Sequence, residues 1–288
     1  MIAFSTVREQ EGTAWGACDT ETKLWYPASA LWGGDAPGSL LDYVRMEDRP
    51  AVPAVSGTGG LPLDTKTLDA PIPVPLRNLF CVGKNYLDHV KELIPHAGGG
   101  TGYPQFFTKA TGSMNGPYDP IPLHAGVTEQ VDYEAELAVV IGSTGGDIRA
   151  EDAYDHIFGY AVVNDITARD LQKQHGQWFK GKSLDGFCPM GPWIVPKESI
   201  GWPLALTVKG FVNGEQRQCA NTSDMMVPVD RLIESLSAGL TLMAGDIIAT
   251  GTPAGVGMGM NPPQFLKRGD VVRIEVEGIG YIENSVIR

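Results

Sequence analysis

Polar and apolar positions alternate most regularly near the C-terminus. Asp270–Val286, DVVRIEVEGIGYIENSV, changes character close to every second residue on either side of Gly-Ile-Gly, which predicts the two strands of a hairpin. Asn78–Gly83 (NLFCVG) and Gly159–Asp165 (GYAVVND) are short apolar runs of the kind a buried strand requires, and Pro104–Gly112 (PQFFTKATG) and Asp132–Gly142 (DYEAELAVVIG) predict further strands. Helical spacing is rarer. Pro228–Gly239 (PVDRLIESLSAG) opens on proline, repeats its apolar residues amphipathically and stops at glycine, which predicts a helix. Asn85–Gly100 predicts a short helix closing in a glycine run, and Ile166–Gln174 (ITARDLQKQ) reads as helical. Nearer the start, Thr13–Pro27 predicts two short strands around the turn CDTET, and Ser39–Met46 predicts a short helix.

These elements predict an α+β fold that is mainly β, with no repeat of 20 to 50 residues. Arg49–Pro75 carries six prolines and three glycines and is expected to be a connection laid over the surface. The expected organisation is a small N-terminal domain with this connection, residues 1–75, followed by a catalytic domain, residues 76–288.

Composition narrows the possibilities. The chain has 288 residues, 43% hydrophobic and 19% charged, which is ordinary for a globular protein with a large core. Its 36 glycines and 21 prolines fit the many turns of a β-rich fold. A net charge of −12 argues against nucleic acid, which needs a basic face. No apolar stretch approaches the roughly 18 residues of a membrane span, and the first residues, MIAFSTVREQ, lack the pattern of a secretory signal. Cys18, Cys81, Cys188 and Cys219 stand far apart with no CxxC pair, so reduced thiols are expected rather than disulfides or a zinc site. The expected location is cytoplasmic, with the mitochondrion as the alternative.

Candidate chemistry centres on Val131–Val140, VDYEAELAVV. Read as a strand, one face is mostly apolar, whereas the other runs Asp132, Glu134, Glu136, Ala138, Val140, acidic and then apolar. Glu134 and Glu136 leave the same face roughly 6.5–7 Å apart. Two carboxylates side by side in a site that excludes water need a proton or a cation between them. A third acid, Asp165, ends the apolar run GYAVVND. Three oxygen ligands without nearby Cys or His match a hard cation such as Mg²⁺, with Mn²⁺ or Ca²⁺ as alternatives. Each acid also has a plainer reading: glutamates two apart decorate solvated strands, and Asp165 alone could cap a helix.

If Ile166–Gln174 is helical, Arg169 and Gln172 share a side with Asp165, either as a surface ion pair or as donors for an anionic substrate. His89 and Glu92 lie three apart on a predicted helix, as an exposed contact or as a general base with its orienting carboxylate. Lys182 and Thr252 occur in glycine-rich stretches where backbone can approach a ligand. His96, His124, His156 and His175 have no comparable arrangement and read as surface or packing residues.

Taken together, VGKNYLDHVKE, DYEAELAVVIG, GYAVVNDITARDLQ, GKSLDGFCPMGP, VNGEQRQCANTSDM and AGDIIATGTPAGVG…PPQFLKRGDVVRIEVEGIG resemble, in order, the blocks of the fumarylacetoacetate hydrolase superfamily, over about Leu76 to Val286. The closing NPPQFLKRGD is similar to the fumarylacetoacetate hydrolase domain-containing branch. The resemblance implies a β-roll catalytic domain behind a small N-terminal unit, commonly a homodimer, with Mg²⁺ or Ca²⁺ at its centre. It implies Glu134, Glu136 and Asp165 as metal ligands and His89 with Glu92 as the water-activating pair, on a segment that often acts as a lid. It places Arg169, Gln172, Lys182 and Thr252 at substrate-contacting positions, with Lys182 adding positive charge in catalysis. The further acidic ligand that the fumarylacetoacetate hydrolases proper supply ahead of the His has no clear counterpart here.

Substrates of the family are mostly 2-oxo or 1,3-diketo acids. The leading expectation is therefore metal-dependent hydrolysis of a carbon–carbon bond in an acylpyruvate-like diketo acid. Oxaloacetate tautomerisation or decarboxylation, or isomerisation of another 2-oxo acid, is the alternative on the same site. A non-catalytic binding protein is the third reading.

Overall fold

The computed structural model describes residues 1–53, 55, 59–93 and 103–288. The expected end of the first catalytic-domain helix, including His96 and the glycine run, falls outside the described residues.

The fold is mainly β, with short helices at its margins. One long sheet runs through the molecule in the order 61–62, 24–27, 13–19, 2–8, 188–196, 157–164, 135–141, 247–249, 79–83 and 105–109. A five-stranded sheet, ordered 215–221, 207–212, 271–276, 280–287 and 121–122, stands beside it. The C-terminal hairpin forms as the alternation predicts, Val271–Val276 against Gly280–Ile287, and reverses through Gly278 at φ +72.

Strand Ala135–Ile141 lies inside this arrangement and is buried at every position. Ala135, Leu137, Val139 and Ile141 join the core shared with Val208, Ile274 and Ile282 of the smaller sheet. Ala138 and Val140 face the other way, into a core with Phe4, Tyr43 and Phe158. A strand buried on both faces therefore presents Glu136 at its start on the face that continues as Ala138 and Val140.

The acidic segment is not one strand, however. Val131–Asp132 pairs with Thr167–Ala168, and regular pairing resumes only at Ala135, opposite Asn164. Tyr133 and Glu134 lie in the break, where side chains replace ladder partners. Asp132 accepts from its neighbour Tyr133 N–H, and Asn164 Oδ1 accepts from Glu134 N–H at 3.0 Å. The same pairing shortens the helix read over Ile166–Gln174. Thr167 and Ala168 are held as a strand, so the helix covers only Arg169–Gln174.

Other expectations form with adjusted ends. Thr13–Asp19 and Leu24–Pro27 are the paired strands around CDTET, and Leu40–Arg45 is a helix capped by Ser39, whose side chain accepts from Asp42 N–H. The helix Val229–Ser237 follows Pro228 and buries Leu232, Ile233 and Leu236. The Pro/Gly-rich connection supplies two short strands, Leu61–Pro62 and Leu68–Asp69, which add to the N-terminal strands. Among the described residues, no helix is long and apolar enough to cross a membrane.

Candidate active site

The ends of two paired strands bring the acids together. Glu134 precedes Ala135–Ile141, Glu136 lies one residue inside it, and Asp165 follows strand Ile157–Asn164, which pairs along its length with that same strand. One carboxylate oxygen from each lies within 4.8 Å of the others, and all three residues are buried. Asp165 caps no helix, since the following helix begins four residues later behind Ala168 with no side-chain cap.

Buried cations hold two of the three, Glu134 and Asp165. Lys182 Nζ lies 2.6 Å from Glu134 Oε2 and 2.7 Å from Asp165 Oδ2. Lys109 Nζ donates to the other Asp165 oxygen at 2.7 Å and to the Ile166 carbonyl at 3.0 Å. Arg169 does not pair with Asp165, as a surface ion pair would have required. Its Nε binds Asp132 at 2.9 Å and one Nη binds Glu134 at 2.7 Å, while a second buried Nη has no partner. Gln172 accepts from Arg169 at 3.3 Å, so the two expected substrate contacts do share one side of the helix.

Electrostatics distinguishes the carboxylates. Burial alone would raise Glu134, but the charges of Lys182 and then Arg169 outweigh it and hold the group ionised. Glu136 is pushed well above the usual carboxylate range by burial, then by the charges of Asp165 and Glu134, and the charge of Lys182 and the Gly251 N–H at 2.8 Å offset this only in part. Burial opposes the charge on Lys182 and on Arg169, yet the acids facing each raise it above its ordinary value. With all groups ionised, Asp132, Glu134, Glu136 and Asp165 face Lys109, Lys182 and Arg169, leaving one negative charge. A doubly charged cation among the three carboxylate oxygens would relieve the repulsion at Glu136 and turn the site net positive. The donor set is all hard oxygen, so the residues fit Mg²⁺, Mn²⁺ or Ca²⁺.

The other expected residues face a cavity of about 500 Å³ that Glu134, Arg169, Gln172, Lys182, Thr252 and His89 all help to line. His89 lies on the helix Leu87–Leu93 and is 4% exposed. Its Nδ1 is 3.2 Å from Glu92 Oε2, which leaves Nε2 for the cavity, and Glu92 Oε1 accepts from Gly255 N–H at 2.9 Å. The pair is thus part-buried and anchored rather than an exposed contact. Thr252 spends its hydroxyl hydrogen on the Ala135 carbonyl and accepts from Gln218 at 2.7 Å, keeping one lone pair toward a ligand. Among the remaining histidines, His156 binds the Ser143 carbonyl and His124 the Asp185 carbonyl, both as packing groups.

Sequence reasoning missed Lys109, Asp132 as the anchor of Arg169, and the amides of Gly251, Gly255, Gly257 and Met258. A lysine closing the apolar run QFFTK was the available signal for Lys109. The backbone donors had no signal beyond glycine content.

On a mainly β fold, a buried carboxylate trio and a His–Glu pair stand beside one cavity, which Glu134, His89, Arg169 and Lys182 reach. The sequence model described as fumarylacetoacetate (FAA) hydrolase C-terminal matches residues 78–287, and the chain belongs to the fumarylacetoacetate hydrolase family. It is 54% identical over 267 residues to the oxaloacetate tautomerase YisK of Bacillus subtilis (strain 168), covering 87% of each chain. Among solved structures, a fumarylacetoacetate hydrolase from psychrophilic Exiguobacterium antarcticum superimposes with a TM-score of 0.88 at 44% identity, over 100% of this chain and 99% of that one. A 2-hydroxyhepta-2,4-diene-1,7-dioate isomerase from Mycobacterium marinum gives 0.75 at 33% identity, with the same coverage.

Proposed function

We propose that the protein is a metal-dependent tautomerase of a small 2-oxo dicarboxylic acid, with oxaloacetate as its substrate. The likeness to the B. subtilis tautomerase supports this reading over carbon–carbon hydrolysis of an acylpyruvate, the leading expectation from sequence. The observation that carries it is the guanidinium of Arg169. It is 4% exposed, is held by Asp132 and Glu134, and lines the same cavity as the anchored His89. A fixed cation that lines a cavity is a seat for a substrate carboxylate. A base held beside it is what a proton transfer at the neighbouring carbon needs.

In the proposed reaction Arg169 and Gln172 hold the substrate. His89 Nε2 takes a proton from C3, the electron pair of that bond moves into C2–C3, and the C2 oxygen gains the charge. Glu92 steadies the imidazolium through Nδ1. The proton then passes to the C2 oxygen, which completes the enol without a nucleophilic water. Lys182 adds positive charge next to the developing oxyanion. Glu134, Glu136 and Asp165 would hold the divalent cation, which when bound supplies electrostatic stabilisation for that oxygen.

Purified protein with Mg²⁺ is expected to accelerate the interconversion of enol- and keto-oxaloacetate, followed by the ultraviolet absorbance of the enol, without release of pyruvate. Unchanged keto–enol exchange, together with acetate and pyruvate from acetylpyruvate, would replace this reading by hydrolysis. We propose a homodimer as the assembly, expected to elute at twice the 30.9 kDa chain mass in light scattering.

A further inference from the structure

The loop after strand Ile247–Ala249 carries no ionisable side chain from Gly251 to Gly259, yet its backbone reaches three of the site's carboxylates. Gly251 N–H binds Glu136 at 2.8 Å, Gly255 N–H binds Glu92 at 2.9 Å, and Gly257 and Met258 N–H bind the two Asp132 oxygens at 2.8 and 2.9 Å. Those carboxylates belong respectively to the acid trio, the His–Glu pair and the anchor of Arg169. A second contact concerns Glu92 alone. Gly259 closes the short turn Gly257–Gly259, and a methyl group on it would overlap Glu92, whose carboxylate and Cγ supply all three of the nearest heavy atoms. Its backbone lies outside the left-handed region, so conformation does not explain the glycine. What the position requires is space for one carboxylate.

We propose that the 251–259 loop is a positioning element that sets the His89–Glu92 pair against the acid trio, and that Gly259 is its specific positioning residue. Glu92 is held on one side by the Gly255 amide and admitted on the other by the bare α-carbon of Gly259. Both contacts fix the carboxylate at Oε1 and thereby set its other oxygen, Oε2, which orients the His89 ring. The inference rests on the reading of His89 as the base, and it adds that a residue without a side chain decides whether that base is aimed.

Gly259→Ala tests it, because the three heavy atoms nearest the new methyl all belong to the Glu92 side chain. With oxaloacetate and Mg²⁺, kcat is expected to fall on the order of 100-fold, the cost of misplacing a catalytic group. KM, the Mg²⁺ concentration for half-activation and the melting temperature should stay unchanged. In the Glu92→Ala background the same substitution should cost nothing further, since both act through one carboxylate. Imidazole ¹⁵N signals of His89, read without substrate, should move toward those of Glu92→Ala. Full activity in Gly259→Ala, unmoved His89 signals, losses that multiply in the double variant, or a collapse of the fold would each overturn the inference. His89→Ala separates the two levels: if it keeps wild-type turnover, the base reading and this inference fall together. If it is inactive while Gly259→Ala is not, only the positioning role is lost.

Discussion

At the scale of single residues, Glu136 is the group whose charge is least compensated. Lys182 binds Glu134 and Asp165, and Lys109 binds Asp165, whereas Glu136 has the Gly251 amide. Its raised pKa means that the folded state holds this proton more tightly than the unfolded chain does. The unfolded chain therefore loses the proton first as pH rises, and stability falls from the ordinary carboxylate range, about 4.3, upward. A divalent cation removes that penalty by favouring the ionised form. Chelated protein is accordingly expected to melt lower at pH 8 than at pH 5.5, and added Mg²⁺ should restore most of the loss. Glu136→Gln should raise the melting temperature of the chelated protein at pH 8, by about 2–4 °C for each kcal/mol of repulsion relieved, and abolish the response to Mg²⁺. Differential scanning fluorimetry reads both. Lys109→Met works in the opposite sense. It leaves Asp165 Oδ1 and the Ile166 carbonyl without their buried donor, and breaking such a pair costs about 3–5 kcal/mol, measurable by urea unfolding.

At the scale of elements, what sequence could reveal was set by periodicity. The helix Val229–Ser237 was legible because Leu232, Ile233 and Leu236 repeat on one side between a proline and a glycine, and all three are buried. Leu232→Ala there is expected to cost about 2–5 kcal/mol in urea unfolding while leaving turnover of the folded protein intact. Periodicity also showed that the segment around Glu134 and Glu136 is acidic and then apolar. It could not show the break at Tyr133–Glu134, because that depends on Asn164 and Gln218, which are remote in the chain and supply the acceptors that the ladder lacks. The same limit hid the short strand Thr167–Ala168 inside an apparently helical stretch. The acids, His89, Glu92, Arg169 and Lys182 were legible through residue type and order. Lys109 and the loop amides were not, since a buried lysine looks like a surface one in sequence and an amide has no identity there at all.

At the scale of the whole molecule, the proposed division near residue 75 meets a sheet that does not stop there. Strand Ile2–Arg8 pairs with Thr13–Asp19 on one side and, at Phe4 opposite Ile194, with the long strand Cys188–Pro196 on the other. Phe4 and Tyr43 also pack their rings on Phe158, and Arg49 donates to the Gly142 carbonyl at 2.7 Å. The N-terminal unit thus covers an edge and an aromatic face that the rest of the chain would otherwise expose to water. Strand Cys188–Pro196 in turn pairs with Ile157–Asn164, whose end presents Asp165 to the site. If the two units divide by role while folding together, a chain beginning at Leu76 should lose more than an appendage. It is expected to bind a hydrophobic dye such as ANS strongly, to melt without a cooperative transition and to show no turnover, even though every proposed ligand and catalytic residue remains in it. A truncated chain that melted cooperatively and kept wild-type turnover would instead make residues 76–288 a domain able to fold alone, with the shared sheet contributing little to its stability.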